Sequence, residues 1–212
     1  MALDQRGHGE SMRVPPEVGP NAFVDDVFAW LDSLELGEAS LVGQSFGGLV
    51  AFLAAASRPD RVTSLIVAEA SPTPDPGAVP RVRRWLESWP VPFADTETAL
   101  RFFGGDSVRA RAWVGGLERR ADGLWPRFDQ ATMLETLRAS ASGHWDAWDS
   151  VRCPTLIVRG EHGLALAEAK EMARRHGDAL VETVAGAPHD VHLERPAEWR
   201  GILERFLHPD VR

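Results

Sequence analysis

The chain has 212 residues, enough for one domain with a full core, and its 44% hydrophobic and 25% charged residues are the balance of a soluble globular protein. A net charge of −8 argues against a nucleic-acid surface, and no apolar run approaches the roughly 18 residues of a membrane span. Met1 to Arg6 lacks the apolar core of a signal peptide, and Cys153, the single cysteine, excludes an internal disulfide framework and a cysteine-rich zinc site, so a cytoplasmic protein is expected.

Asn21 is placed to cap a helix from 22 to about 36, with Phe23, Val27, Trp30, Leu31 and Leu34 on one stripe. Ala39-Ser40-Leu41-Val42 reads as a strand and the run from Leu49 to Ala56 as a helix. Residues 61–68 are a second strand, apolar enough to be covered on both faces. From about 72 to 150 the alternation breaks. Pro72, Pro74, Pro76 and Pro80 open a turn-rich stretch, and helices are expected over 82–88, 96–103, 108–119 and 131–142. Trp85, Trp89, Trp113, Trp125, Trp145 and Trp148, six of the eight tryptophans, lie in this segment. It reads as a helical lid inserted over the C-terminal edge of the sheet, where one or two tryptophans facing a pocket would favour an apolar or ring-bearing ligand. The others would pack the lid. A strand over 154–159 follows, beginning just after Cys153, which suits a buried structural thiol. A helix over 165–176 stopped by Gly177, a strand over 179–184, and a final helix from Pro196 complete the chain. The pattern predicts a single α/β domain over 1–212, with a mostly parallel sheet, helices on both faces, core segments 1–71 and 151–212, and a lid at about 72–150.

Between the first strand and its helix stands Gly43-Gln44-Ser45-Phe46-Gly47-Gly48, the pattern G-x-S-x-G. A serine on a sharp strand-to-helix turn is held with its hydroxyl exposed, small neighbours let other backbone pass, and the following helix aims its first N–H groups at an anion forming there. The plainer alternative is a serine in a glycine-rich loop. A nucleophilic serine needs a base, and that base an orienting carboxylate. His189, in Gly186-Ala187-Pro188-His189 after the last strand, is placed over the sheet edge. His8, His144, His176, His192 and His208 are worse placed.

Four segments occur in one order: Asp4-Gln5-Arg6-Gly7-His8-Gly9-Glu10-Ser11, Gly43 to Gly48, Pro154-Thr155-Leu156-Ile157-Val158-Arg159-Gly160-Glu161, and Gly186 to His189. With them the chain resembles the α/β-hydrolase superfamily, in its lid-bearing serine-hydrolase branch, over nearly all its length outside the lid. The resemblance implies Ser45 as nucleophile, His189 as general base and the backbone N–H of Phe46 as one oxyanion donor. It implies no metal and no organic cofactor, and a small-molecule substrate.

Two departures stand out. The family usually carries its acid as an Asp shortly after the strand that ends here at Arg159-Gly160, where this chain reads Gly160-Glu161-His162-Gly163-Leu164. Some members place it after the preceding core strand, here Val67-Ala68-Glu69-Ala70. Glu69 is therefore favoured as the acid and Glu161 kept as the alternative, while Asp190 adjoins His189 and is set aside because a sequence neighbour rarely points at the same ring nitrogen. Second, the segment from Asp4 to Gly9 normally follows the family's fourth strand. The expectation is a truncated sequence, from a misassigned start or a partial gene, in which the strand before Ser45 lacks a central neighbour and the second oxyanion loop is missing.

Acyl transfer is the leading reading, on an ester, thioester, lactone or a C–C bond beside a ketone. The alternatives are a catalytically impaired or non-catalytic ligand-binding member, and a cofactor-free acyltransferase or perhydrolase on the same triad.

Overall fold

The computed structural model describes residues 1–208. The chain begins with α1 (Pro20–Ser33), β1 (Ala39–Gln44), α2 (Phe46–Ser57) and β2 (Val62–Ala68). There follow α3 (Ala78–Glu87), α4 (Thr96–Phe102), α5 (Val108–Gly115), β3 (Leu117–Arg120), β4 (Gly123–Pro126) and α6 (Gln130–Ala139). The last part holds α7 (Trp145–Trp148), β5 (Thr155–Gly160), α8 (Leu166–His176), β6 (Leu180–Val184), α9 (Val191–Glu194) and α10 (Pro196–Leu207). Two compact units emerge, one made of Val24–Pro74 and Ser142–Arg212, the other of Met1–Phe23 and Asp75–Ala141.

The first unit carries a four-stranded sheet in the order β1-β2-β5-β6, with every pairing parallel. Alternate residues of a strand face opposite sides. Leu65 and Val67 therefore oppose Ile66 and Ala68, and all four are fully buried, as expected for a parallel strand covered on both faces. On one face Ile66, Ala68, Leu156 and Val158 pack with Val184, Val191 and Ile202, and α10 adds Trp199, Leu203 and Phe206. Helix α2 packs along β1 and β2. Its Phe52 meets the edge of Trp148 at a centroid distance of 5.5 Å, and Trp148 Nε1 donates to Met172 O at 2.9 Å, so this buried indole is satisfied at both ends. Helix α1 begins at Pro20, one residue before the expected cap at Asn21, which fits a residue that has no N–H to satisfy. Strand β1 is one of the two edge strands of the sheet, the other being β6. Its Val42 is 46% exposed. Cys153 is a half-buried free thiol, and burial pushes its pKa up.

The second unit is mainly helical. Asp95, Ser107 and Asp129 cap α4, α5 and α6 by accepting from the N–H groups of Thr98, Ala110 and Thr132. Its core joins Leu86, Trp89, Phe93, Phe103, Ala110, Leu124 and Leu134. Trp89 stands edge-on to Trp85, Phe103 and Trp113, so these tryptophans pack this unit. Trp125 lies beneath Arg120, while Trp145 and Trp148 form α7 in the sheet-bearing unit. The helix expected over 108–119 ends at Gly115, and an antiparallel hairpin of β3 and β4 follows it. Residues 1–23 group with this unit. Gly9 N–H donates to Arg127 O at 2.8 Å, and Arg13 makes a bidentate pair with Glu118 at 2.7 and 2.9 Å that holds the Glu118 carboxyl down at about 2. Among the described residues, no helix is long and apolar enough to cross a membrane.

Two histidines couple this packing to pH. His176 lies 6.0 Å from Trp148 and His192 6.4 Å from Trp199, and burial lowers both below the ordinary 6.5. The unfolded chain then takes up protons before the folded one. The stability owed to the neutral rings is complete above pH 6.5 and is lost as pH falls through the lower folded values. Urea midpoints measured from about pH 7.5 down to about pH 5 should show this loss, and His192→Gln should shrink it. An identical slope in the variant would remove His192 from the account.

Candidate active site

Parallel strands deliver their carboxyl ends to one edge of a sheet, and here four of them do so in register. Gln44 pairs with Ala68, Ala68 with Val158, and Gly160 with Val184. The residues that follow each end are Ser45, Glu69, the loop after Gly160, and the loop carrying His189. The four segments singled out in the sequence therefore yield three that converge on this unit's sheet edge. The fourth, Asp4 to Gly9, belongs to the helical unit.

Ser45 has φ 52° and ψ −121°, a conformation that side-chain-bearing residues rarely adopt. Two sets of contacts hold it there. Its N–H donates to Ala68 O at 2.8 Å, and its carbonyl accepts from Gly48 and Leu49 at 2.9 and 3.1 Å. The turn closes so tightly that a Cβ on Gly43 would overlap the carbonyl of Gly47, and one on Gly48 would press the Ala70 methyl. The Ser45 side chain makes no capping hydrogen bond, so the hydroxyl is not committed to the helix. Phe46 is the first residue of α2.

His189 is exposed at its loop, with its neighbour Gln44 reaching it from the residue before Ser45. Gln44 Nε2 lies 3.1 Å from His189 Nδ1 and also donates to the His189 carbonyl at 3.1 Å. Asp190 Oδ1 lies 3.2 Å from the same Nδ1. Sequence reasoning sets Asp190 aside, yet it is the carboxylate in contact with the ring. An Nδ1 proton suits Asp190 and opposes the Gln44 amide nitrogen, whereas a bare Nδ1 suits Gln44 and opposes Asp190. The two partners thus favour different proton positions. The Asp190 hydrogen bond raises the His189 pKa above its ordinary value, against desolvation, with the charges of Asp190 and Glu69 adding to the rise.

Glu69 is buried at φ 53°, with its carboxylate turned to backbone. Gly160 N–H donates to Oε1 at 2.6 Å and Leu164 N–H to Oε2 at 2.8 Å. Burial pushes its pKa up, while these two donors and the charges of His189 and Arg159 pull it back. Among the described residues, no hydrogen bond joins Ser45 to His189 or His189 to Glu69, and the link between Glu69 and the ring is through space. Glu161 accepts instead from Gly186 N–H at 2.8 Å, fastening the start of the loop that carries His189. A Cβ at Gly163 would fall inside the Glu69 carboxylate. Gly163→Ala is therefore expected to displace that carboxylate and to lower kcat about tenfold or more, with about 2 kcal/mol lost in stability. Unchanged steady-state kinetics in the folded variant would show that the carboxylate's position is immaterial.

Comparisons with known proteins show the family and the fold. A family model described as "Alpha/beta hydrolase family" matches residues 1–201. The 2-(acetamidomethylene)succinate hydrolase of Mesorhizobium japonicum is 32% identical over 98% of this chain and 77% of its own length. Esterase YbfF of Escherichia coli is 25% identical over 97% of this chain and 81% of its own. The crystal structure of an E-2-(acetamidomethylene)succinate hydrolase superposes with a TM-score of 0.85 at 28% identity, covering 96% of this chain and 79% of that one.

Proposed function

Because the chain belongs to the alpha/beta hydrolase family, we propose that it is a serine hydrolase working by acyl transfer through Ser45. The observation that carries the reading is the backbone of Ser45. A left-handed conformation held on a strand-to-helix turn by contacts on both sides is costly for a serine, and it is understood as the means of presenting the hydroxyl.

Ser45 Oγ attacks a carbonyl carbon while His189 takes its proton. The tetrahedral oxyanion is stabilised at the start of α2, with the Phe46 N–H as one donor. His189 then gives the proton to the leaving group, the acyl group stays on Ser45, and a water activated by the same ring releases it as a carboxylic acid. Glu69 acts as the acid of the set: its negative charge favours the imidazolium formed between these steps. The substrates are small acyl compounds. Esters, thioesters and lactones suit the chemistry, and the likeness to enzymes named for 2-(acetamidomethylene)succinate extends the class to an acylated nitrogen.

A fluorophosphonate probe tests the assignment. Covalent labelling that maps to Ser45 by peptide mass spectrometry, and that disappears in Ser45→Ala, is the expected result. Labelling that survives the substitution would place the nucleophile elsewhere. A folded protein that neither labels nor cleaves a panel of activated esters would favour a ligand-binding role.

A further inference from the structure

Arg159 is a buried cation whose hydrogen-bond partners include no carboxylate. It stands in the last full turn of the pleat on β5, beside Thr183 of β6, and is only 6% exposed. Its Nε donates to Leu164 O at 2.5 Å, its Nη2 to Glu161 O at 2.9 Å, and its Nη1 to Thr183 Oγ1 at 3.3 Å. Two of these three acceptors are carbonyls of the loop whose N–H groups hold Glu69. Leu164 is used at both ends of its residue: the carbonyl is taken by Arg159 and the N–H is given to Glu69.

The loop from Gly160 to Leu164 is therefore gripped from both sides, carbonyls toward a buried cation and N–H groups toward a buried anion. Peptide dipoles aligned in that sense lower the energy of both charges at once. We infer that Arg159 is a positioning residue for catalysis, fixing the 160–164 loop whose N–H groups hold the Glu69 carboxylate in place. The inference rests on the reading of Glu69 as the acid of a serine hydrolase.

A surface arginine of this kind would be replaceable. This one is not placed for solubility or for an ion pair, and an apolar side chain of similar length would leave Glu161 O and Leu164 O without their donor inside the protein. The charged groups around the pair are few. His189 and Arg159 act on Glu69, Asp190 bonds the His189 ring, Glu161 is spent on Gly186 N–H, and the Glu168 carboxylate accepts from Ser71 two residues beyond Glu69. Arg159 and His189 are the cations whose charges pull the Glu69 pKa down.

The test is the pH profile of kcat/KM for Arg159→Met, with Arg159→Gln as the variant that keeps a donor for the loop but no charge. Loss of the cation makes Glu69 harder to ionise, so the pH above which the Glu69 carboxylate is available to His189 rises. The acid limb is expected to move up by about half a pH unit or more, with kcat down about tenfold on the plateau. Arg159→Lys keeps the charge and should leave the limb near its original place while kcat falls. A uniform drop with an unmoved limb in both neutral variants would overturn the inference and leave Arg159 a structural residue. Ser45→Ala in the same assay separates the two claims: activity that survives it sinks the hydrolase reading itself, whereas activity lost in Ser45→Ala with an unmoved Arg159 limb sinks only the positioning role.

Discussion

Ser45→Ala is expected to lower kcat/KM for any turned-over ester by about 10⁴-fold or more while barely changing the melting temperature. The hydroxyl makes no capping hydrogen bond, so removing it takes nothing from helix α2. The proposed chemistry, by contrast, runs through this hydroxyl. Ser45→Gly makes the same chemical deletion and adds a physical one. At φ 52° a Cβ costs energy that glycine does not, and a residue held in such a region stores about 1–3 kcal/mol. The glycine variant should therefore be inactive and as stable as the parent or more so, despite the greater flexibility of its unfolded chain. Activity and thermal melts on the three proteins decide the matter. A glycine variant that melts well below the alanine variant would mean that the turn is not strained and that the backbone argument for Ser45 fails.

Glu69→Gln is expected to lower kcat by about 10²–10⁴-fold with a much smaller effect on stability. The carboxylate offers an acceptor oxygen to each of two N–H groups, at 2.6 and 2.8 Å. An amide offers one oxygen and turns its NH₂ against the other donor, at a cost of about 1–3 kcal/mol. Against this stands the burial that raises the Glu69 pKa. A carboxyl raised in the folded state contributes stability below its unfolded value of 4.5, and that contribution is lost as pH rises through the folded value, so near neutrality the charge burdens the fold. Removing the charge offsets part of the broken hydrogen bond. Catalysis has no such offset, because an uncharged amide does not stabilise the imidazolium. Asp190→Asn and Glu161→Gln are the comparisons that make the result decisive. Asp190 touches the ring and Glu161 does not. A large loss in Asp190→Asn with little in Glu69→Gln would transfer the role of the acid to Asp190.

The sheet-bearing half of the molecule was legible because its information is local. Strand β2 reads as a buried parallel strand from its own apolar run, Gly177 stops α8, Pro196 starts α10, and Gly43 to Gly48 carries a turn whose geometry only small residues permit. The hairpin of β3 and β4 was hidden by the helical propensity of the preceding residues. Asp122-Gly123 was the available signal, with Gly123 at φ 144°. The grouping of residues 1–23 with the helical unit rests on contacts such as Arg13 with Glu118, 105 residues apart, which no local pattern announces. The contact between His189 and Asp190 was discounted on a rule about neighbours. In this loop the backbone turns enough for Asp190 Oδ1 to reach Nδ1. Arg159 carried no signal at all, since a strand-end arginine reads as a surface residue until its three acceptors are known.

Strand β1 pairs on one side only, with β2, and Ser45 is the next residue after its end. Local opening begins where a segment has the fewest neighbours to lose. Ser45 thus follows one of the two edge strands of the sheet, while Glu69 and the 160–164 loop are anchored to interior β2 and β5. Warming is expected to loosen Ser45 and the His189 loop, which follow the edge strands β1 and β6, before it disturbs Glu69. Heat inactivation is then expected at a lower temperature than heat unfolding, as parallel activity and melting curves would show.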